Sequence, residues 1–275
     1  MPELPEVETI RRQLAARLPG ATVVGGDGHP SEKFRNATQA IGARITRVDR
    51  RGKYLLIGLH NDLELVVHLG MTGSFSLTDP AAAAHFEPGP YTRAWWRLDD
   101  DRTLVFNDIR RFGRVAVVPR GVYASLPTLH QLGPEPQDPS FSAAGLWDAL
   151  RATNQRLKTQ VLSQRPVAGV GNIYADEAFW LAEVHPARRS LTRAQADRLH
   201  AGIIAAIEQG LAAGGTTLRD YQGVDGSRGL NQHQLACYGR SGQACLRCQA
   251  VLRRQVWDGR STTYCPICQG PAPRR

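Results

Sequence analysis

The chain has 275 residues, with 34 Lys and Arg against 25 Asp and Glu, a formal charge of +9. That length can bury a substantial core and favours two domains with room for a small third module, and the basic balance suits a polyanionic partner, although a merely solvated basic surface carries the same charge. No apolar run approaches membrane-spanning length and the opening MPELPEVE is acidic where a signal peptide is cationic, so no membrane association is expected and the chain is assigned to the cytoplasm. In chain order, Val7, Ile10, Leu14 and Leu18 recur at steps of three or four, which predicts a helix starting close to Pro5. Eight β-type segments follow, at 21–24, 43–49, 54–59, 63–69, 74–77, 94–98, 103–106 and 114–118, and so many short strands read as a β-sandwich. Residues 132–139, LGPEPQDP, form a linker, after which the pattern turns helical. Ser142 caps a helix to about 151, a second runs from about 155 to 164, and a third begins near Gly171. The last sets Leu199, Ile203, Ile207 and Leu211 on one face, opens on a Thr192–Gln195 capping box and stops at Gly214-Gly215. Residues 216–234 are polar and aperiodic and read as a long functional loop. The expected fold class is α+β: an N-terminal helix plus β-sandwich domain over 1–133, a helical domain with its loop over 134–235, and a cysteine module over 236–275.

Within that module Cys245-Leu246-Arg247-Cys248, sixteen residues, then Cys265-Pro266-Ile267-Cys268 has the spacing of a four-cysteine zinc site. Free thiols or one disulfide are the competing reading. Because protein would fill all four positions, the expected cofactor is one structural zinc ion, and the module a zinc ribbon. It would fix Arg253, Arg254 and Arg260 on a hairpin turning at Asp258-Gly259. Cys237 fits no ligand pattern and reads as a small core residue.

The N-terminus offers a nucleophile. Met1 before the small Pro2 is normally removed, which exposes a secondary amine; an α-amine has a pKa near 7.8 against about 10.4 for lysine, so it presents roughly 300-fold more free base at neutral pH. A secondary amine attacking a sugar carbon also gives a permanently cationic iminium, an electron sink for elimination. Glu3 and Glu6 lie close enough in sequence to move protons there. Taken alone, the same residues read equally as an ordinary helix start. Gly169 to Asn172 likewise reads either as a turn offering N–H groups to an anion, with the Asn172 amide added, or as a plain interhelical turn.

Met1-Pro2-Glu3-Leu4-Pro5-Glu6-Val7-Glu8-Thr9 resembles the N-terminal signature of the formamidopyrimidine-DNA glycosylase family. The likeness continues in order through Arg51-Gly52-Lys53-Tyr54, His68-Leu69-Gly70-Met71-Thr72-Gly73, Asn107-Asp108-Ile109-Arg110-Arg111-Phe112-Gly113, Gly169 to Glu177 and the four cysteines. The endonuclease VIII relatives typically carry Gly where this chain has Leu4, which assigns it to the oxidised-purine branch. The resemblance implies a base-excision-repair DNA glycosylase with AP lyase activity, acting as a monomer on duplex DNA with oxidised bases, near the nucleoid. It implies a helix-two-turn-helix for the central domain, a lesion-capping role for the loop from Thr216, and DNA held in a basic cleft.

Residue by residue, it implies that Pro2 is the Schiff-base nucleophile, Glu3 its acid or base, Glu6 a supporting acid and Lys53 a phosphate ligand. Met71, Arg110 and Phe112 would fill the void left by the lesion, with Arg110 reading the opposite cytosine. Without the resemblance Met71 and Phe112 read as core residues. Lys158 and Arg260 would grip the DNA backbone. Two departures stand out: Ile109 replaces the family's usual proline, and the insert 79–90 matches no motif. The alternatives are an endonuclease VIII-like pyrimidine glycosylase and a non-catalytic zinc-ribbon protein that senses damage.

Overall fold

Helix α1 (Leu4–Ala15) starts where Glu6 turns back to accept the Glu3 N–H at 2.7 Å, and Pro5 stands in its first turn, where a missing N–H costs nothing. Its apolar stripe, Val7, Ile10 and Leu14, is fully buried. The computed structural model describes residues 1–83 and 85–270. After α1 come β1 (Val23–Gly28), β2 (Ile45–Arg51), β3 (Tyr54–Leu59), β4 (Leu63–His68) and β5 (Gly73–Leu77). The short α2 (Pro80–Ala83) precedes β6 (Thr92–Leu98), β7 (Thr103–Asp108), β8 (Arg114–Pro119) and α3 (Pro127–His130).

The strands form two four-stranded antiparallel sheets, β1-β6-β7-β5 and β2-β3-β4-β8. Phe34, Leu55, Ile57, Val67, Phe75, Trp96 and Phe106 belong to one core cluster drawn from both sheets. Trp96 keeps its one polar atom satisfied by donating to Ala37 O at 2.9 Å, as a buried indole must. The insert runs through α2 and lays Phe86 against Trp95, ring centroids 5.6 Å apart.

Two compact units result: Met1–His130 with Ala213–Leu230, and Gln131–Ala212 with Asn231–Arg275. Here the structure differs from the expected division, which put the loop with the helical domain. The loop seats Val224 in the core cluster of the first unit, with Tyr221 packed against it, and it satisfies its backbone on α1: Val224 N–H donates to Gln13 Oε1 at 2.6 Å and Gln13 Nε2 donates to Asp225 Oδ1 at 3.0 Å.

In the second unit Ser142 Oγ accepts the Gly145 N–H at 3.1 Å and opens α4 (Ala143–Arg151). Then follow α5 (Leu157–Leu162), α6 (Asn172–Leu181) and α7 (Arg193–Ala212). The reciprocal Thr192–Gln195 bonds, 3.0 and 3.2 Å, form the expected capping box of α7. Helix α6 is buried from Ile173 to Trp180, flanked by α5, α7 and the hairpin of β9 (Arg253–Trp257) and β10 (Arg260–Tyr264). The hairpin turns at Asp258-Gly259, both at positive φ (50° and 74°), the conformation that tight two-residue turn demands.

Candidate active site

Pro2 is buried, while Met1 before it is 45% exposed. In the chain as translated the Pro2 nitrogen is a tertiary amide, and removal of Met1 converts it to an amine. Beside it Glu3 and Glu6 are only 2% and 1% exposed. Glu6 Oε2 accepts the Glu3 N–H at 2.7 Å and its Oε1 accepts the Thr216 N–H at 2.6 Å, two charge-assisted bonds that hold the carboxylate rigid. Tyr221 Oη adds a bond to Gly214 O at 3.1 Å. The start of α1 and the root of the 213–230 loop therefore form one hydrogen-bonded assembly.

Lys53 sits in the two-residue turn between β2 and β3 and is 7% exposed. Arg50 ties that turn to α1, donating from Nε to Glu8 Oε2 at 3.1 Å and from Nη1 to Gly52 O at 3.1 Å. Burial pushes the Glu8 carboxyl up, but Arg11, Arg50 and Arg12 outweigh it and hold it below its usual value. The helix carrying Glu3 and Glu6 and the turn carrying Lys53 are thus joined by an ion pair. His68 lies in the same region, its ring 4.7 Å from that of Tyr54. Burial, then the Lys53 ammonium and the Arg114 guanidinium, depress His68 to about 4. A neutral ring fits its geometry, since Nδ1 accepts the Gly70 N–H at 3.1 Å.

The three residues assigned to void filling come from two loops that are clamped together. Gly70 has φ +64°, and a Cβ there would fall 2.4 Å from Gly113 N, so only glycine lets the 70–72 turn approach the 109–113 loop. Asp108, fully buried, completes the clamp: it accepts from Thr72 Oγ1 at 2.6 Å and from Gly113 N at 2.7 Å, while Thr72 Oγ1 accepts the Arg110 N–H at 3.1 Å. Outward from this clamp stand Arg110, its guanidinium 4.7 Å from the Phe112 ring centroid, and Phe112 itself, 49% exposed. An exposed aromatic held by a buried carboxylate is not a core residue, whereas Met71 is half-buried. Ile109, 54% exposed, makes no demand on the clamp. Asp108→Asn should cost about 2 kcal/mol, because hydrogen bonds to a buried charge are lost and an amide N–H is left facing a donor. Urea unfolding of the full chain measures this, and an unchanged midpoint would refute the clamp.

Thr72, Asn107 and Ile109 also line an open cavity of about 670 Å³, bounded further by Tyr91, Arg219, Gln222 and Arg228. Donors, acceptors and an aromatic ring around such a space suit a planar heterocycle.

In the second unit Lys158 is 4% exposed, and its ammonium donates to Asp176 Oδ1 at 2.6 Å, Ser261 O at 3.0 Å and Thr262 Oγ1 at 3.1 Å. Asn172, first residue of α6, donates from Nδ2 to the same Ser261 O at 3.1 Å. Both side chains bind Ser261 at the turn end of the hairpin, one residue from Arg260, which is exposed. Asp176 Oδ2 accepts the Thr263 N–H at 2.9 Å, and burial pushes this carboxyl up to about 7 against the pull of Lys158. Glu177 accepts three backbone N–H groups, from Ala236, Cys237 and Tyr238, at 2.7 to 2.8 Å. Sequence reasoning quoted Asp176 and Glu177 only as motif letters; their work is to fasten both ends of the cysteine module to α6.

The Sγ atoms of Cys245, Cys248, Cys265 and Cys268 lie within 4.8 Å of one another and could hold a metal ion. Cys248–Cys265 and Cys245–Cys268 are 3.4 and 4.0 Å apart, bracketing the sulfur–sulfur spacing of about 3.8 Å in a tetrahedron with 2.3 Å metal bonds. Cys237 is fully buried and directs its Sγ to Thr263 O at 3.2 Å. No helix among the described residues is long and apolar enough to cross a membrane.

Residues 1–115 match the model of the formamidopyrimidine-DNA glycosylase N-terminal domain, and residues 132–222 that of the formamidopyrimidine-DNA glycosylase H2TH domain. The chain is 45% identical to formamidopyrimidine-DNA glycosylase of Thermus thermophilus, over 99% of this chain and 100% of the relative. It is 43% identical to that of Deinococcus radiodurans, over 98% and 97%. The crystal structure of the Thermus thermophilus MutM (FPG) protein superposes with a TM-score of 0.91 at 44% identity, over 99% and 100% of the two chains. A Lactococcus lactis FPG mutant in complex with DNA containing Fapy-dG superposes at 0.87 with 32% identity, over 98% and 99%.

Proposed function

The chain belongs to the formamidopyrimidine-DNA glycosylase family and is a bifunctional DNA glycosylase and AP lyase; on that premise we propose that Pro2, freed of Met1, is the nucleophile that removes oxidised purines from duplex DNA. The observation that carries this reading is the burial of Glu3 and Glu6 beside Pro2. Glu6 has a capping duty in that turn, yet two sequestered carboxylates are costly to bury, and proton transfer at an amine makes use of both.

The lone pair of Pro2 forms a bond to C1′ as the bond to the base breaks, and the base leaves with a proton supplied at the site. Glu3 serves as acid or base on the sugar, and Glu6 holds the first turn in place. The Pro2 nitrogen gives up its proton, the C1′–O4′ bond breaks as O4′ takes up a proton, and the nitrogen then shares a double bond with C1′; loss of a proton from C2′ expels the 3′ phosphate, and loss of a proton from C4′ in a further elimination expels the 5′ phosphate. Lys53 holds a lesion-flanking phosphate. Met71, Arg110 and Phe112 replace the extruded base in the stack, and Arg110 reads the opposite cytosine. Asn172 and Arg260 contact the backbone from the second unit, with Lys158 supporting the hairpin from behind. One zinc ion on the four cysteines holds the ribbon, with no role in the chemistry. One chain supplies every residue invoked, which fits a monomer working on chromosomal DNA in the cytoplasm.

Duplexes carrying 8-oxoguanine opposite cytosine, or thymine glycol opposite adenine, distinguish the substrate classes. The expected result is faster strand cleavage at 8-oxoguanine, and the reverse order would move the chain to the oxidised-pyrimidine class.

A further inference from the structure

Trp147 on α4 is pinned by its indole, which donates from Nε1 to Leu191 O at 3.1 Å. Two guanidinium groups converge on that ring, Arg151 and Arg193, each 4.2 Å from its centroid. Both arginines are exposed, and among the described residues neither forms an ion pair, although Asp148 and Asp197 lie one turn away on the same helices. Arg193 is moreover the first residue of α7, a 20-residue helix with no acidic residue in its first turn. Two like charges and the positive end of a helix dipole are therefore gathered at one aromatic platform without a counter-charge. A phosphate drawn to these guanidinium groups would supply the paired counter-charge they lack.

Trp147 belongs to the same compact unit as the hairpin of β9 and β10. Backbone pairing joins the segment that follows α4 to the one that precedes α7, Leu157 N–H to Arg188 O at 2.7 Å and Lys158 N–H to Pro186 O at 3.1 Å. Arg188 therefore stands beside the start of α5, the helix that carries Lys158.

We propose that Arg151 and Arg193, seated on Trp147, form an additional phosphodiester site that holds duplex DNA outside the phosphates flanking the lesion. The proposal rests on the reading of the second unit as DNA-binding. Its ligand class is the sugar–phosphate backbone, read without regard to sequence.

The test compares binding of the full-length protein to abasic-analogue duplexes of about 12 and about 30 base pairs across a salt series, since each phosphate contact contributes about 0.9 to the slope of log affinity on log salt. Arg151→Gln/Arg193→Gln should flatten the slope by about 0.9 on the long duplex and leave the short one unchanged. Arg151→Lys/Arg193→Lys, which keeps both charges, should retain the wild-type slope. A slope unaltered on the long duplex, or lowered equally on both, overturns the proposal. Borohydride capture on a short duplex carrying 8-oxoguanine opposite cytosine reports the Pro2 chemistry separately, so failure there is distinguishable from failure here.

Discussion

Replacement of Pro2 by leucine should eliminate borohydride capture of lesion-containing DNA and lower base excision by more than about 10³-fold, the scale on which loss of a covalent nucleophile acts. The bulky second residue preserves Met1, so the backbone nitrogen stays an amide and has no lone pair to give. Pro2→Gly supplies the control. A glycine still permits removal of Met1 and leaves a primary amine, which forms a neutral imine that must take up a proton before it can draw electrons. Capture should therefore persist in Pro2→Gly, with slower elimination that improves as pH falls. Intact mass of each protein verifies the terminus. Full activity in Pro2→Leu with Met1 in place would overturn the assignment of the nucleophile.

Substitution of Cys265 by serine should release the metal and unfold the ribbon, since structural zinc supplies on the order of 10 kcal/mol of folding free energy to modules of this kind. The loss reaches beyond the cysteines. Trp180 donates to Cys245 Sγ at 3.4 Å, and Leu252 and Cys237 share the small core around it. Unfolding β10 also removes Ser261 and Thr262, which accept from Lys158, and Thr263, which donates to Asp176. Metal analysis should find one zinc per wild-type chain and none in the variant. Binding of lesion duplex should weaken by at least about 100-fold, the loss of roughly 3 kcal/mol, while high DNA concentration still permits capture at Pro2. Unchanged affinity would remove the hairpin from the DNA interface.

Much of this architecture could be read from local pattern. The strand at Tyr54–Leu59 has the predicted ends because a two-residue turn and a polar pair bracket an apolar run, and the α7 capping box forms as its two residues require. Elements set by distant partners were less legible. Helix α5 is shorter than the predicted 155–164: Leu157 and Lys158 give their N–H groups to Arg188 and Pro186, and Gln164 adopts φ +67°, outside any helix. The four-residue α2 and α3 are too short to show a period. Among the site residues, the four cysteines declare themselves by spacing, whereas Pro2, Glu3 and Glu6 are singled out only by the resemblance. Asp108, Arg50 and Asp176 are not marked by spacing, because each acts on groups that only the fold brings near. The burial of Lys158 was equally hidden, since it depends on Asp176 and on a hairpin about a hundred positions later.

The loop that lines the cavity is stapled to α1 at three points, Thr216 through the Glu6 carboxylate, Tyr221 through the Glu6 carbonyl and Val224 through Gln13. Thr217 adds an internal stitch, accepting the Gly229 N–H at 2.9 Å. Arg219 and Gln222 line the cavity between those staples. If the cavity takes the extruded base, variation at these positions adjusts to bases of different shape while the staples keep the register of Glu3 and Glu6. Swapping that short arc between relatives should exchange base preference while sparing the lyase step.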